Sequence, residues 1–196
     1  MRTMDNSEIQ LVKLAQQGDT RAFDKLVQLH DRRIYQYAFS VVGNVQDAQD
    51  VYQETFMRAF AKLKSFAFEG PFSAWLNRIV LNLAINRKKQ KQRRRWFTPL
   101  SHDNDQPSWE EWLKPDPNPD PERITLSKEI RSEVIKALDD LPAQQRAVFV
   151  LRHFHQQKIC EIAESLDCAE GTIKNQLFRA TQKLKKQLVT LYEETV

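Results

Sequence analysis

Glycine, cysteine and long apolar runs are all scarce in this chain of 196 residues. Only four glycines are present, and no segment alternates strictly between apolar and polar residues, which argues against a β-sheet. No apolar run approaches the roughly 20 residues that a membrane-spanning helix needs, and the N-terminus lacks the apolar core of a signal peptide. We therefore predict an all-α, cytoplasmic protein without membrane insertion, in which both cysteines are reduced thiols.

The sequence also lacks the residue groups on which most catalytic and metal sites depend. It offers no plausible nucleophile–base pair and no phosphate-binding glycine loop, so we predict that the chain is not an enzyme. His153, His155, Cys160 and Cys168 are potential metal ligands, but their spacing matches no common zinc pattern. We expect neither a metal nor another cofactor, and we assign the two cysteines small structural roles.

Basic residues, in contrast, are abundant and clustered. The net charge is +4, the isoelectric point is about 9.1, and the run Arg87–Arg95 holds seven cations in nine residues. Trp96 and Phe97 follow at once, and aromatic side chains beside a basic run can stack on unpaired bases. The clustering points to a polyanionic partner, although the run by itself also fits a disordered basic linker.

Apolar residues at helical spacing predict helices along most of the chain. The first four predicted helices begin near Ser7, Thr20, Val45 and Pro71. Composition then changes, because the segment 98–122 contains six of the eight prolines and seven acidic residues with a single lysine. We predict two small helical domains, residues 1–95 and 123–196, joined by a Pro-rich acidic linker over residues 96–122.

The stretch from Lys158 to Lys186 has the pattern of a helix-turn-helix. A short apolar face ends at Asp167, and a second helix opens at Cys168 or Ala169 with an apolar stripe that begins at Ile173. The opposite face of this second helix carries cations and amides suited to a major groove, namely Lys174, Asn175, Phe178, Arg179, Gln182, Lys183 and Lys186. The pattern alone also fits a helical hairpin with a solvated basic face.

Two further surfaces stand out in the N-terminal half. Asp50, Gln53, Glu54 and Met57 share one patch on the third predicted helix, and an acidic patch in a basic protein suits a basic protein partner. From the spacing alone, a solvated face is the favoured interpretation of this patch. The second surface is a stripe on the fourth predicted helix that suits base edges and phosphates, formed by Arg78, Asn82, Asn86 and Lys89.

Four segments, taken in this order, resemble the extracytoplasmic-function group of the bacterial sigma-70 family of RNA polymerase sigma factors. DAQDVYQETFMRAF at 47–60 resembles the family's segment that binds core polymerase, and FSAWLNRIVLNLAIN at 72–86 resembles its promoter-melting and minus-ten segment. LPAQQRAVFVLR at 141–152 and EIAESLDCAEGTIKNQLFRATQKL at 161–184 resemble its minus-thirty-five module. The resemblance covers nearly the whole chain.

The resemblance implies a role for each surface. It assigns core-polymerase binding to the patch on the third helix, which replaces the solvated-face interpretation, with the residues Asp50, Gln53, Glu54 and Met57. Minus-ten DNA binding is assigned to Phe68, Trp75, Arg78, Asn82, Asn86 and Lys89. Phosphate binding is assigned to Arg87, Lys88, Arg93, Arg94 and Arg95. Minus-thirty-five binding is assigned to Lys174, Asn175, Phe178, Arg179 and Lys183. Within the minus-ten set, Asn82 matches a residue in the pocket for a flipped base, and the loop 66–71 matches the loop that closes over that base.

The implied function is promoter-specific initiation of transcription. The chain would bind core RNA polymerase through the beta-prime clamp and the beta subunit, read the minus-thirty-five duplex and trap melted minus-ten bases of promoter DNA. The linker would thread the polymerase cleft, and control is expected from a separate anti-sigma protein because no regulatory extension follows Val196. Family members often have an acidic residue where this chain has Asn86 and a basic residue near the position of Ala67. These two differences affect the expected base preference of the minus-ten pocket.

Two other classes of function compete with this interpretation. A stand-alone helix-turn-helix regulator that binds DNA as a dimer would leave the patch at 47–60 and the basic–aromatic segment unexplained. A polymerase-bound adaptor without promoter specificity would not explain the DNA-binding pattern of the second helix of the helix-turn-helix.

Overall fold

The computed structural model describes residues 6–97, 134 and 136–194, with the backbone alone for residues 95–97 and 190–194. It is built from α-helices: α1 Asn6–Gln16, α2 Thr20–Val42, α3 Val45–Lys62, α4 Phe72–Phe97, α5 Ala143–His153, α6 Ile159–Leu166 and α7 Glu170–Glu194. A single 3₁₀ turn, Leu63–Ser65, follows α3, and residues 136–139 are also helical. The predicted all-α fold is confirmed, with no strand in the described ranges, whereas most of the predicted linker lies outside them.

Local capping sets the junctions between the first helices, as the sequence predicts. The Asp19 carboxylate accepts hydrogen bonds from the backbone N–H groups of Arg21 and Ala22 and so caps α2. Gly43 ends α2 with a φ of +85°, a backbone conformation in which glycine is favoured. Asn44 then caps α3 by accepting from the N–H of Asp47 at 2.8 Å. The chain therefore reverses between α2 and α3 within two residues.

The long helix α4 is the centre of the fold. It packs against α2 and α3 on one side and against α5 and α6 on the other. Apolar residues on several of its faces are accordingly buried, namely Phe72, Leu76, Val80, Leu81, Leu83, Ala84 and Ile85. The helix continues without a break through the basic run to Phe97. The alternative of a disordered basic linker is therefore wrong for the run Arg87–Arg95.

One hydrophobic core extends through both halves of the chain. It joins α1–α4 to the C-terminal helices through buried residues that include Ala147, Leu151, Ile162 and Ile173. A second, smaller core cluster packs the segment 136–141 against α7 and consists of Ala137, Leu138, Leu141, Ala180 and Leu184. The C-terminal helices thus stabilise one another and also pack on the N-terminal half.

Two predictions about packing need correction. The helical spacing of α3 predicts that Phe60 faces the core, but this side chain is half exposed and lies beside the ring of Phe23. Thr55 of the same helix is fully buried, and its hydroxyl donates to the Val51 carbonyl at 2.7 Å. Cys160 is exposed on α6 and contributes nothing to the core, contrary to the structural role expected for it.

Candidate nucleic-acid and protein interfaces

The predicted minus-ten stripe runs along the outer surface of α4. Asn82, Asn86 and Lys89 are exposed, so two amides and one ammonium lie on one solvent-facing side of α4. Arg78 lies at the start of the same stripe, but its guanidinium donates to the backbone carbonyl of Glu164 on α6 at 3.2 Å. Most of the stripe is therefore free to form hydrogen bonds with base edges. Its first residue, Arg78, is instead hydrogen-bonded to the C-terminal half of the chain.

The loop 66–71 is held at the start of this stripe by a cluster of aromatic rings. The Phe66 ring lies 5.0 Å from that of Phe68, 5.6 Å from Phe72 and 5.4 Å from Trp75, measured between centroids. Such offset and edge-to-face pairs add stabilisation beyond the apolar area that they bury. Phe68 and Trp75, both predicted to contact DNA, are partly buried by this packing.

Two features of this loop are invisible to sequence patterns. The Gln16 amide of α1 donates to the carbonyls of Leu63 and Phe66, both at 2.9 Å, and so anchors the loop from a distant part of the chain. Phe68 adopts a φ of +59°, which a bulky residue rarely takes and which costs of order 1–3 kcal/mol. Such strain persists only where surrounding contacts impose it, and here Gln16 and the ring of Phe66 supply them.

The predicted polymerase-binding patch is largely open to solvent on α3. Gln53, Glu54 and Met57 are exposed, with Met57 at 72% of its surface. Phe60, one turn further, extends this surface with an exposed aromatic face. Sequence reasoning missed Phe60 because its spacing also fits the core stripe. Met and aromatic residues are enriched at protein–protein interfaces, so exposed Met57 and Phe60 favour a protein-binding surface.

Asp50, the remaining member of the patch, is paired within the chain. The Arg87 guanidinium of α4 contacts the Asp50 carboxylate at 2.5 Å and the Asp47 carboxylate at 2.7 Å. Burial alone would raise the pKa of Asp47, but hydrogen bonds from Asn44 and Arg87 lower it below its ordinary value. One predicted phosphate-binding residue, Arg87, thus neutralises one predicted polymerase-binding residue in the free chain.

The other cations of the basic run differ in their surroundings. Lys88 is buried, and its ammonium donates to Asp139 at 2.7 Å and to the Val42 carbonyl at 3.3 Å. Arg93 and Arg94 are exposed, whereas the side chain of Arg95 lies outside the described residues. In this conformation, therefore, Arg93 and Arg94 can reach a phosphate, but Lys88 cannot.

The helix-turn-helix consists of α6, a tight turn and α7. Asp167 makes the turn with a φ of +53°, and the Cys168 N–H returns to the Ala163 carbonyl at 3.0 Å. The outer face of α7 is exposed at Lys174, Asn175, Phe178 and Arg179. Lys174 lies 3.6 Å from Glu170 one turn before it. Lys183 is also exposed, but it donates to the Asp140 carbonyl at 2.6 Å and so closes the adjoining helix.

Arg179→Ala is expected to weaken binding to the upstream promoter element by about 1–3 kcal/mol, because an exposed guanidinium on a recognition helix is suited to a bidentate contact with a base. Footprinting of the upstream element by the polymerase-bound protein measures this loss. Arg32→Ala removes an exposed arginine from α2 and serves as the control. An unchanged footprint for Arg179→Ala would remove this residue from the interface.

Comparison with known proteins identifies both halves of the chain. Residues 26–94 match the family model for sigma-70 region 2, and residues 131–184 match that for sigma-70 region 4. The RNA polymerase sigma-H factor of Pseudomonas aeruginosa is 34% identical over 186 residues, which is 94% of this chain and 95% of that relative. The ECF RNA polymerase sigma factor SigW of Bacillus subtilis is 31% identical over 177 residues, 90% of this chain and 94% of SigW.

Solved structures show the same fold. CnrH, determined in complex with the cytosolic domain of CnrY, superposes with a TM-score of 0.63 at 25% identity, over 95% of this chain and 99% of CnrH. RpoE of Bartonella quintana, in complex with the anti-sigma factor NepR, gives a TM-score of 0.58 at 23% identity, over 85% of this chain and 96% of RpoE. Together, the family models and the near full-length relatives show that this chain belongs to the extracytoplasmic-function group of sigma-70 family RNA polymerase sigma factors.

Proposed function

We propose that α3 binds the clamp of core RNA polymerase, that α4 with the loop 66–71 captures melted minus-ten DNA, and that α7 reads the minus-thirty-five duplex. The chain contributes no catalytic step of its own, and its task is to position polymerase at a promoter. The relatives CnrH and RpoE were each solved with a protein partner, which supports control of this chain by an anti-sigma protein in the cytoplasm.

The observation that carries the proposal is the exposed amide stripe of α4. The apolar residues of this helix are buried, whereas Asn82 and Asn86 face outward, next to a strained loop lined with aromatic rings. Extruding a base from the duplex costs a few kcal/mol. Amides that bond to a base edge, together with rings that stack on it, can offset that cost. The arrangement thus fits capture of an unpaired base.

Asn82→Ala is expected to reduce the lifetime of the open complex by about tenfold, which corresponds to loss of one hydrogen bond worth about 1.4 kcal/mol. Permanganate reactivity of unpaired thymines in the melted region measures this effect, while binding at the upstream element should stay unchanged. Gln28→Ala removes an exposed amide from α2 and is the matched control. Unaltered reactivity in Asn82→Ala would exclude Asn82 from the pocket.

Reconstitution tests the proposal as a whole. Purified chain and core polymerase, incubated with genomic DNA fragments, should produce transcripts whose start sites share two sequence elements upstream. Tight binding of promoter duplex by the free chain, with no effect on initiation by polymerase, would instead support a stand-alone regulator.

A further inference from the structure

The first helix, α1, takes no part in the three surfaces of the proposed function, yet it packs against the elements that support the minus-ten surface. Its side chains Val12 and Ala15 are buried, and the helix lies against α2 and the 3₁₀ turn Leu63–Ser65. That turn leads directly into the loop 66–71. The polar side chains on this side of α1 therefore meet the loop that is proposed to close over a captured base.

Gln16 binds both ends of the turn from which this loop begins. Its amide Nε2 donates to the Leu63 carbonyl and to the Phe66 carbonyl, at 2.9 Å each. The Leu63 carbonyl also accepts from the Phe66 N–H at 3.0 Å. Phe66 is buried at the centre of the aromatic cluster. Because both side-chain bonds come from one amide group, they fix the direction in which the backbone enters the loop.

Lys13 lies one turn before Gln16 and contacts a later part of the loop. Its ammonium is 5.9 Å from the centre of the Phe68 ring, within the range of a cation–π contact. The Lys13 side chain is exposed, and Phe68 is partly exposed. Phe68 has the strained φ of +59°, which persists only where surrounding contacts impose it. Lys13 is one of the groups that hold this ring in place.

The first turn of α1 is joined to the same aromatic cluster through α2. His30 donates from Nε2 to the Glu8 carboxylate at 2.7 Å, and its ring centroid lies 5.6 Å from that of Phe72. Phe72 in turn packs against Phe66 at 5.6 Å. Both ends of α1 are therefore connected to the cluster that supports the loop. Residues held in this way can position a binding group more precisely than a loop that depends on its own contacts.

A captured base brings its own phosphate to the mouth of the pocket. Extrusion rotates the nucleotide about its backbone, so the phosphates stay outside while the base enters. The ammonium of Lys13 is carried on a flexible stem and can turn from the Phe68 ring to a phosphate beside it. Cations next to stacking rings are the groups with which proteins bind single-stranded nucleic acid. The pair Lys13 and Phe68 thus suits one nucleotide of a melted strand.

We propose that α1 forms part of the minus-ten site, in which Gln16 is a positioning residue that fixes the loop 66–71 over the captured base and Lys13 binds a phosphate of the captured strand. This proposal rests on the proposed function of α4 and the loop. Gln16 contacts the loop through its backbone, so it acts on the base through the position of Phe68. Lys13 acts by direct contact with DNA.

Base discrimination tests the positioning role of Gln16. Promoter fragments from start sites mapped by reconstitution, with a pre-melted minus-ten region, carry each base in turn at the captured position. Gln16→Met keeps a side chain of similar length and removes both donors, whereas Gln17→Met makes the same change at an exposed neighbour. With core polymerase, we expect Gln16→Met to reduce the affinity ratio of best to worst base by about fivefold, the worth of one ordinary hydrogen bond. Gln17→Met should keep the ratio of the parent.

The ratio separates positioning from a general effect on stability. A variant that is only less stable binds every base more weakly by the same factor. Equal weakening for all bases in Gln16→Met, or a ratio equal to that of Gln17→Met, would overturn the positioning role. Gln16→Asn shortens the side chain by one methylene and should also lose discrimination. It decides the question if circular dichroism shows that Gln16→Met does not fold, and a parental ratio in Gln16→Asn would then contradict the proposal.

Salt dependence tests the phosphate contact of Lys13. Lys13→Gln removes one charge from an exposed position, so folding should be unaffected. For polymerase bound to the pre-melted fragment, the slope of log K against log salt should become less steep by about 0.7, the contribution of one phosphate on a single strand. Lys25→Gln makes the same change at an exposed lysine of α2 and should leave the slope unchanged. Equal slopes in the two variants would exclude the contact.

Asn82→Ala separates this proposal from the function on which it rests. Asn82 lies on α4 itself, so its loss should reduce base discrimination whether or not α1 contributes. Reduced discrimination in Asn82→Ala, with none lost in Gln16→Met, would overturn the role of α1 alone. Absence of any discrimination by polymerase carrying the parent chain would instead refute capture of a base by α4.

Discussion

Glu54→Arg is expected to weaken binding of the chain to core RNA polymerase by about 2–4 kcal/mol, or on the order of 30- to 1,000-fold. Glu54 is exposed at the centre of the patch on α3, and within the chain its carboxylate contacts only Arg58 among the ion pairs found in the described residues. Reversal of its charge replaces attraction to a basic partner by repulsion. It should leave folding intact because the side chain contributes nothing to the core.

Fluorescence anisotropy of labelled chain titrated with core polymerase measures this loss. Asp24→Arg makes the same change at an exposed acid of α2 and is the matched control, which should bind within about threefold of the parent. Equal binding by both variants would place the polymerase contact elsewhere. Because exposed ion pairs weaken as salt screens them, the difference between the two variants should shrink as the salt concentration rises.

Phe72→Ala is expected to lower the free energy of unfolding by about 3–5 kcal/mol, because it removes a large, fully buried ring and leaves a cavity in the core. This ring packs against Phe66, Trp75 and His30, so its loss affects α2, the start of α4 and the loop 66–71 together. The variant should also form open complexes poorly, since Phe66 and Phe68 lose the support that orders the loop.

Urea titration followed by circular dichroism measures the change in stability. Phe178→Ala is the matched control, since this phenylalanine is 63% exposed on α7 and its removal should change stability by no more than about 0.5 kcal/mol. Phe178→Ala should instead reduce binding of the upstream duplex. A stability loss below 1 kcal/mol in Phe72→Ala would mean that the aromatic cluster does not order the loop.

The ion pairs of Arg87 with Asp47 and Asp50 connect the proposed polymerase-binding surface with the proposed DNA-binding surface. An acidic side chain proposed to bind polymerase and a basic side chain proposed to bind DNA neutralise each other in the free chain. A basic polymerase surface that binds Asp50 would compete with Arg87 for that carboxylate and release the guanidinium towards DNA. The pair of Arg87 with Asp50 is partly open to solvent, where an ion pair contributes little to stability, so exchange of Asp50 requires little energy.

The sequence by itself determined the helices and the positions of the three proposed interaction surfaces. Asp19, Gly43 and Asn44 define the ends of α2 and α3 because capping depends on backbone groups within about four residues. Helical spacing placed Asn82 and Asn86 on one exposed stripe of α4, and it placed Lys174, Asn175 and Arg179 on one exposed face of α7. Periodicity sufficed for these residues because each set lies on a single face of one helix.

Only the tertiary structure decided which of these surfaces are available in the free chain. The contact between Arg78 and Glu164 joins residues 86 positions apart, and that between Arg146 and Ser40 joins residues 106 positions apart. No local pattern reports such contacts, so Lys88 was predicted to bind phosphate although it is buried and its ammonium donates to Asp139. The environment of Lys88 depends on how the two helical units pack together. The sequence shows the apolar face of each helix separately, but it does not show which faces pack against each other.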